Sequence, residues 1–127
     1  MNANVVNWFE IYTSDFKRAK KFYTDVFKIE LTDLPSSPGM ENMEYATFPG
    51  DMTTPGSSGA LAKMEFMKPG PGGTLVYFHT EEILTEQNRV EAAGGKVLRP
   101  KQNIGEYGFI AIIEDTEGNI IGLHSMK

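Results

Sequence analysis

The sequence predicts an α+β domain made of two tandem βαβββ modules whose small sheets come together as one curved mixed sheet around a cleft. Three observations lead there. The hydrophobic period changes from strand-like to helical between Tyr12 and Phe16, around the helix-start residues Thr13-Ser14-Asp15. The same order of elements returns in the second half of the chain. Between the halves stands Lys68-Pro-Gly-Pro-Gly-Gly73, whose prolines and glycines forbid regular structure.

Taken in order, Val6 to Tyr12 suits a pleated strand. From Phe16 onward, Phe16, Ala19, Phe22, Tyr23, Val26 and Phe27 recur at helical spacing, so a helix with a broad buried face is expected. Lys17, Arg18, Lys20 and Lys21 fall mostly on its other face, as a solvated surface or a docking patch. Lys28 to Leu34 reads as a short strand ended by the turn cluster Pro35 to Gly39. Met43 to Phe48 and Gly59 to Phe66 read as two more strands, with Met52 to Ser58 as the loop between them.

The second module repeats the plan. Thr74 to His79 is strand-like, Thr80 to Ala93 has helical spacing, and Gly94-Gly95 supplies the left-handed backbone that closes a helix. Lys96 to Leu98 is a short strand, Phe109 to Ile113 the centre of another, Asp115 to Gly118 a hairpin turn, and Asn119 to Ser125 the closing strand. The expected organisation is a single domain over residues 1–127, with module 1 at about 1–67, a linker at 68–72 and module 2 at about 73–127. Each half holds too little to enclose a core alone, so pairing the two leaves a concave space between them.

Composition narrows the function. The 127 residues include no cysteine, which removes disulfides and thiolate chemistry and is compatible with a reducing cytoplasm. A net charge of −5 disfavours an electrostatic hold on nucleic acid or anionic lipid. The N-terminus shows no basic leader followed by an apolar core and no apolar run is long enough to span a bilayer, so a cytoplasmic protein without membrane or nucleic-acid partners is expected. Gly70-Pro-Gly-Gly73 lacks the Gly-Lys-Ser/Thr ending of a phosphate-binding loop, and no Ser stands in a nucleophile-elbow context.

Three motifs, taken together, carry a resemblance: Trp8-Phe-Glu-Ile with Asp15-x-x-Arg18-Ala19-x-x-Phe22-Tyr23-x-x-Val26-Phe27; Ala92-Ala-Gly-Gly-Lys-Val-Leu98; and Phe109-x-x-x-x-Glu114-Asp115-x-Glu117-Gly118-Asn119-x-x-Gly122-Leu123. Over nearly its whole length the chain resembles the vicinal oxygen chelate superfamily of glyoxalase, bleomycin resistance and dioxygenase proteins. That resemblance implies paired βαβββ modules around a cleft, often completed by dimerisation, and in the metal-dependent members a divalent ion held by His or Glu from both modules. The corresponding ligand positions here fall on Trp8, near Leu75 and on Gly122. None of these side chains offers a lone pair to a hard or borderline cation. No cofactor is therefore expected, with a divalent metal as the alternative.

Strand parity groups Trp8 with Glu10 and Tyr12, Tyr77 with His79, and Gly122 with His124. If the family's ligand positions mark the concave side, Trp8, Glu10, Tyr12, Tyr77, His79, Gly122 and His124 form the candidate ligand-binding wall, with open room at Gly122. Glu10 is the catalytic candidate: a desolvated carboxylate among aromatic rings acquires a raised pKa and can act as general base or ligand anchor. It can equally be a structural carboxylate held by hydrogen bonds. Glu10, His79 and His124 suggest a shifted metal set, against which their spacing argues. Trp8 can stack on a ligand or fill the core, and Met40, Met43, Met52, Met64 and Met67 suit an adaptable apolar pocket.

The expected function is metal-independent binding of a small apolar or aromatic molecule. The alternatives are a metal-dependent lyase of glyoxalase type or a dioxygenase, and an assembly module without a ligand. A homodimer is expected, because paired half-barrels leave sheet edges and apolar faces uncovered.

Overall fold

The first strand, β1 (Val6–Tyr12), gives way to helix α1 (Phe16–Phe27) at Asp15, whose carboxylate accepts a 3.0 Å hydrogen bond from the Arg18 amide. This is the side-chain cap anticipated from Thr13-Ser14-Asp15, and it satisfies one of the amides that a helix start leaves free. The computed structural model describes residues 4–35, 42–51 and 53–127. After α1 follow β2 (Thr32–Asp33), β3 (Glu44–Thr47) and β4 (Ser58–Lys63); then β5 (Thr74–His79), α2 (Ile83–Val90), β6 (Lys96–Asn103), a 3₁₀ turn (Gly105–Tyr107), β7 (Phe109–Glu114) and β8 (Ile120–Ser125).

All eight strands join one sheet in the order β2-β3-β4-β1-β5-β8-β7-β6. Each half supplies four adjacent strands, and within each half the first strand runs parallel to the last, β1 beside β4 and β5 beside β8. The halves meet where β1 pairs antiparallel with β5, setting Trp8 against Tyr77, Phe9 against Val76 and Glu10 against Leu75. The tandem βαβββ arrangement and the mixed sheet are therefore present as the sequence predicts.

Alternation along the strands sorts the core into two layers. One face gathers Tyr12, Tyr45, Ala60, Ala62, Leu75 and Tyr77, with Trp8, Met43 and Ile110 packed against them. The other gathers Ile83, Ala111, Ile113 and Leu123 beneath α2. On the first face, Ala60 and Ala62 of β4 lie beside Glu10 and Tyr12 in register, and Ala62 also lies beside Tyr45. Small side chains there leave space for the phenol rings.

Several boundaries differ from the sequence expectation. The strand expected over 28–34 shrinks to Thr32–Asp33, because Lys28 takes the left-handed conformation (φ 55°) that closes α1. The strand expected over 59–66 stops at Lys63 and is followed by a turn bridging Met64 to Met67. β6 is longer than expected and passes through Pro100; as an edge strand with register shifts on both sides of Arg99, it accommodates the missing N–H. Of the expected turn at 35–39 only Pro35 is described, and Met40 and Met52 lie outside the described residues.

The broad buried face expected of α1 is a larger correction. None of its residues is buried, and Phe22, Val26 and Phe27 are 56%, 54% and 59% exposed. The inward side is narrower, with Tyr23 set edge-on against Phe48 at 5.5 Å between ring centres and Phe48 in turn against Phe9 at 5.6 Å. Helical spacing identified the apolar stripe, but among the described residues only part of it is covered.

Gly122 has a steric assignment. A Cβ built on it would lie 2.3 to 2.9 Å from three ring atoms of Tyr77. The space expected to stand open at Gly122 is thus filled by the Tyr77 ring, the residue it pairs with across β5 and β8. Gly122→Ala should destabilise the fold by about 1–3 kcal/mol through this overlap, measured by urea unfolding. Gly118→Ala, with open space around it but a φ of +84°, serves as the comparison for backbone strain alone.

Candidate functional site

The concave face holds a cavity of about 360 Å³, walled almost wholly by apolar and aromatic groups. β1 contributes Asn7, Trp8 and Glu10; β3 and its approach contribute Met43, Tyr45 and Thr47, with Leu34 beside them; β5 contributes Tyr77. The far side comes from Ile104, Tyr107, Ile110, His124 and Met126. Both modules therefore build the wall.

Asn7 and Trp8 are sequence neighbours, and a regular strand would point them to opposite faces. The β1–β5 register slips between Val6 and Trp8, leaving Asn7 as the extra residue. A bulge of this kind re-aims side chains, which accounts for both residues reaching the cavity.

Glu10 is the electrostatic centre of the site. It is only 5% exposed, and Lys and Arg are absent from both the cavity wall and its described hydrogen-bond partners. Its carboxyl oxygens are met by phenols. Tyr12 donates to Oε1 at 2.7 Å and Tyr45 donates to Oε2 at 2.6 Å. The indole N–H of Trp8 donates in turn to the Tyr45 hydroxyl at 2.8 Å, which orders Trp8, Tyr45 and Glu10 as one chain of hydrogen bonds.

Burial pushes the Glu10 carboxyl above its ordinary value, while the hydroxyls of Tyr45, Tyr12 and, least, Tyr77 act in the opposite direction. The phenols respond in kind. Tyr12, Tyr45 and Tyr77 are all raised far above the usual tyrosine range, by burial first and by the nearby carboxylate second, so they remain neutral donors.

At the opposite end of the cavity, His124 Nε2 lies 2.7 Å from the Tyr107 carbonyl. A carbonyl can only accept, so Nε2 carries the proton and Nδ1 faces the Asn7 amide at 3.5 Å. The Asn7 Oδ1 has no hydrogen-bond partner among the described residues.

Among the residues singled out from the sequence, Trp8, Glu10, Tyr77 and His124 line the cavity. Tyr12 stands behind Glu10 as its hydrogen-bond donor, and Gly122 lies under the Tyr77 ring. His79 pairs in register with His124 and donates its backbone N–H to Val5, but its side chain is not part of the wall. Met43 lines the cavity, whereas Met64 and Met67 line an adjoining open groove.

Tyr45 is the main omission from the sequence reading. Its only sequence signal was its place among the apolar positions of β3. Nothing local indicates that β3 is carried across β4 so that Tyr45 meets β1.

The residues present do not fit a divalent ion of the kind held in a His/Glu cleft. Among the described residues, no three His, Cys, Asp or Glu side chains converge. Both oxygens of Glu10 already accept from phenols, and Gly122 is closed off by Tyr77.

Comparison with known proteins agrees with the architecture. The family model of the Glyoxalase/Bleomycin resistance protein/Dioxygenase superfamily matches residues 5–123. CFP32 of Mycobacterium bovis, named as a candidate glyoxylase, is 31% identical over 92% of this chain and 44% of its own length. The anthracycline biosynthesis protein DnrV of Streptomyces peucetius is 29% identical over 87% of this chain and 43% of its own. The chain thus spans less than half the length of these relatives. Among solved structures, a methylmalonyl-CoA epimerase of Streptomyces coelicolor superposes with a TM-score of 0.67 at 15% identity, covering 98% of each chain. The hypothetical protein BH1468 of Bacillus halodurans gives 0.68 at 13% identity, covering 96% of this chain and 94% of its own. At these identities the likeness is one of fold.

The buried carboxyl leaves a signature in stability. Folded Glu10 holds its proton more tightly than unfolded Glu10, so above the ordinary value of 4.5 the unfolded chain ionises first. The stability contributed at this position is then lost as pH rises, until the folded carboxyl has also ionised. Wild type should lose stability relative to Glu10→Gln as pH is raised above about 4.5. Urea midpoints of the two proteins across that range measure it; a constant difference would mean that burial does not shift Glu10.

Proposed function

The chain belongs to the Glyoxalase/Bleomycin resistance protein/Dioxygenase superfamily, and we propose that it is a metal-independent binding protein for a small apolar or aromatic molecule. The observation that carries this reading is the cavity of about 360 Å³, apolar and aromatic on its walls and polar at Glu10 and at the Asn7–His124 end. Such a site has the composition of a ligand pocket: apolar surface for affinity and a few fixed polar groups for orientation. Trp8, Glu10, Tyr77 and His124 are assigned to ligand contact, and Tyr12 to holding Glu10.

Glu10 also supports a second reading, in which a carboxylate that is desolvated and raised in pKa takes a proton from the bound molecule. Tyr45 and Tyr12 would then hold the carboxylate in place, since both donate to it at hydrogen-bond distance.

We further assign the whole chain to one domain, with modules at 1–67 and 73–127 joined by the linker at 68–72, working in a reducing cytoplasmic setting in keeping with its lack of cysteine. No described helix is long and apolar enough to cross a membrane. The uncovered stripe of Phe22, Val26 and Phe27 is assigned to contact with a second copy.

Titration calorimetry with the neutral probe 1-naphthylmethanol tests the binding reading. Saturable binding is expected, unchanged after chelator treatment and lost in Ile110→Trp, which fills the cavity from β7. Absence of binding by wild type both to this probe and to its charged analogues of the same body, or a stoichiometric ion in protein purified without chelator, would overturn it. For the assembly, Phe22→Glu should move the protein to the monomer position in sedimentation; a wild type that already sediments as a monomer contradicts the assignment.

A further inference from the structure

The cavity encloses an ionisable carboxyl group that has no cationic partner among the described residues. Glu10 is a carboxylate enclosed in the core, and the groups described around it are neutral: Tyr12 on its own strand, Tyr45 from β3, Tyr77 from β5, with Trp8 bonded to Tyr45. Across the cavity, the titratable groups among the described residues are His124 and Tyr107. A buried carboxylate ordinarily has a cationic partner, because neutral hydrogen bonds recover only part of its lost hydration. Here the chain supplies none among its described residues.

The walls add to the same preference. Trp8, Tyr45, Tyr77 and Tyr107 surround the space, and indole and phenol faces attract cations through their quadrupoles. The carboxylate retains acceptor capacity beyond the two phenol bonds at 2.6 and 2.7 Å, since two oxygens offer about four lone-pair sites. An anionic ligand would meet Glu10 and find no Lys or Arg on the wall.

We propose that the natural ligand of this cavity is an organic cation, a protonated or quaternary amine on an apolar or aromatic body, whose charge is the missing partner of Glu10. This rests on the binding function proposed above and names the chemical class that the site takes. The apolar body occupies the space between Met43, Ile110 and Met126, and the ammonium lies toward Glu10 and the rings of Tyr45 and Trp8.

Three probes with one body separate this inference from the reading beneath it: 1-naphthylmethylammonium, 1-naphthylmethanol and 1-naphthoate, each titrated calorimetrically into wild type and Glu10→Gln. The ammonium should bind about tenfold or more tighter than the alcohol, and the alcohol tighter than the naphthoate. In Glu10→Gln the ammonium's advantage should fall to within about threefold. If the alcohol binds and the ammonium binds no tighter, the cation inference is overturned while the binding function stands. Preference for the naphthoate overturns it likewise. If none of the three binds, both readings fail. Should Glu10→Gln not fold, the ranking in wild type alone decides, and Ile110→Lys, which adds a positive charge to the wall away from the Glu10 bonds, should selectively weaken the ammonium.

Discussion

The antiparallel seam between β1 and β5 is the constraint on which the rest of the molecule depends. It is the one place in the sheet where the two halves share backbone hydrogen bonds, and each half alone is an open four-stranded layer with one helix. Joining them there makes β1 and β5 central strands, which must be covered on both faces. One face receives the helices and the other becomes the lining of the cleft. The slip in register at Asn7 follows from the same seam and brings a polar side chain into a wall that strict alternation would have left to Trp8 and Glu10.

From that seam the placement of Glu10 becomes intelligible. In the middle of β1, flanked by β4 and β5, it is 5% exposed and buried by position. The sequence compensates on both sides of it. β4 offers Ala60 and Ala62, small enough for rings to close over, and β1, β3 and β5 offer Tyr12, Tyr45 and Tyr77 to fill that room with hydroxyls. Replacing the phenols by phenylalanines would preserve the packing and remove the donors, leaving a charge without hydration or hydrogen bonds. The aromatic character of the cleft is thus tied to the carboxylate as well as to any ligand.

Much of the architecture was legible from local signals. The period switch at Thr13–Asp15 located α1 because capping is a short-range interaction, and Asp15 makes the expected bond. Thr74–His79 was readable as a strand for the same reason. What was not legible depended on distant partners. The exposure of Phe22, Val26 and Phe27 depends on what packs against α1, and the arrival of Tyr45 at Glu10 on strand order. At the site, parity correctly grouped Trp8 with Glu10 but carried no information on depth: Tyr12 lies behind the wall and His79 beyond it. Asn7 was invisible because a bulge breaks the parity rule on which the reading relied.

Gly122 shows how the cleft differs from one built around an ion. A metal site needs a side chain with a lone pair at such a position and an open space before it. Here the position has no side chain, and the space is taken by the ring of Tyr77, whose hydroxyl acts on Glu10. Trp8 makes the matching exchange on β1, using its N–H to hold Tyr45 in place. The two aromatic side chains act together on one carboxyl group, Tyr77 through its own hydroxyl and Trp8 through the Tyr45 hydroxyl that donates to Glu10. The fold's paired modules form a cleft whose polar centre, among the described residues, is the carboxyl group of Glu10. Ligand charge is where the two kinds of cleft part, because one centred on a cation attracts oxyanions, whereas an ionised carboxylate repels them and is stabilised by a cation.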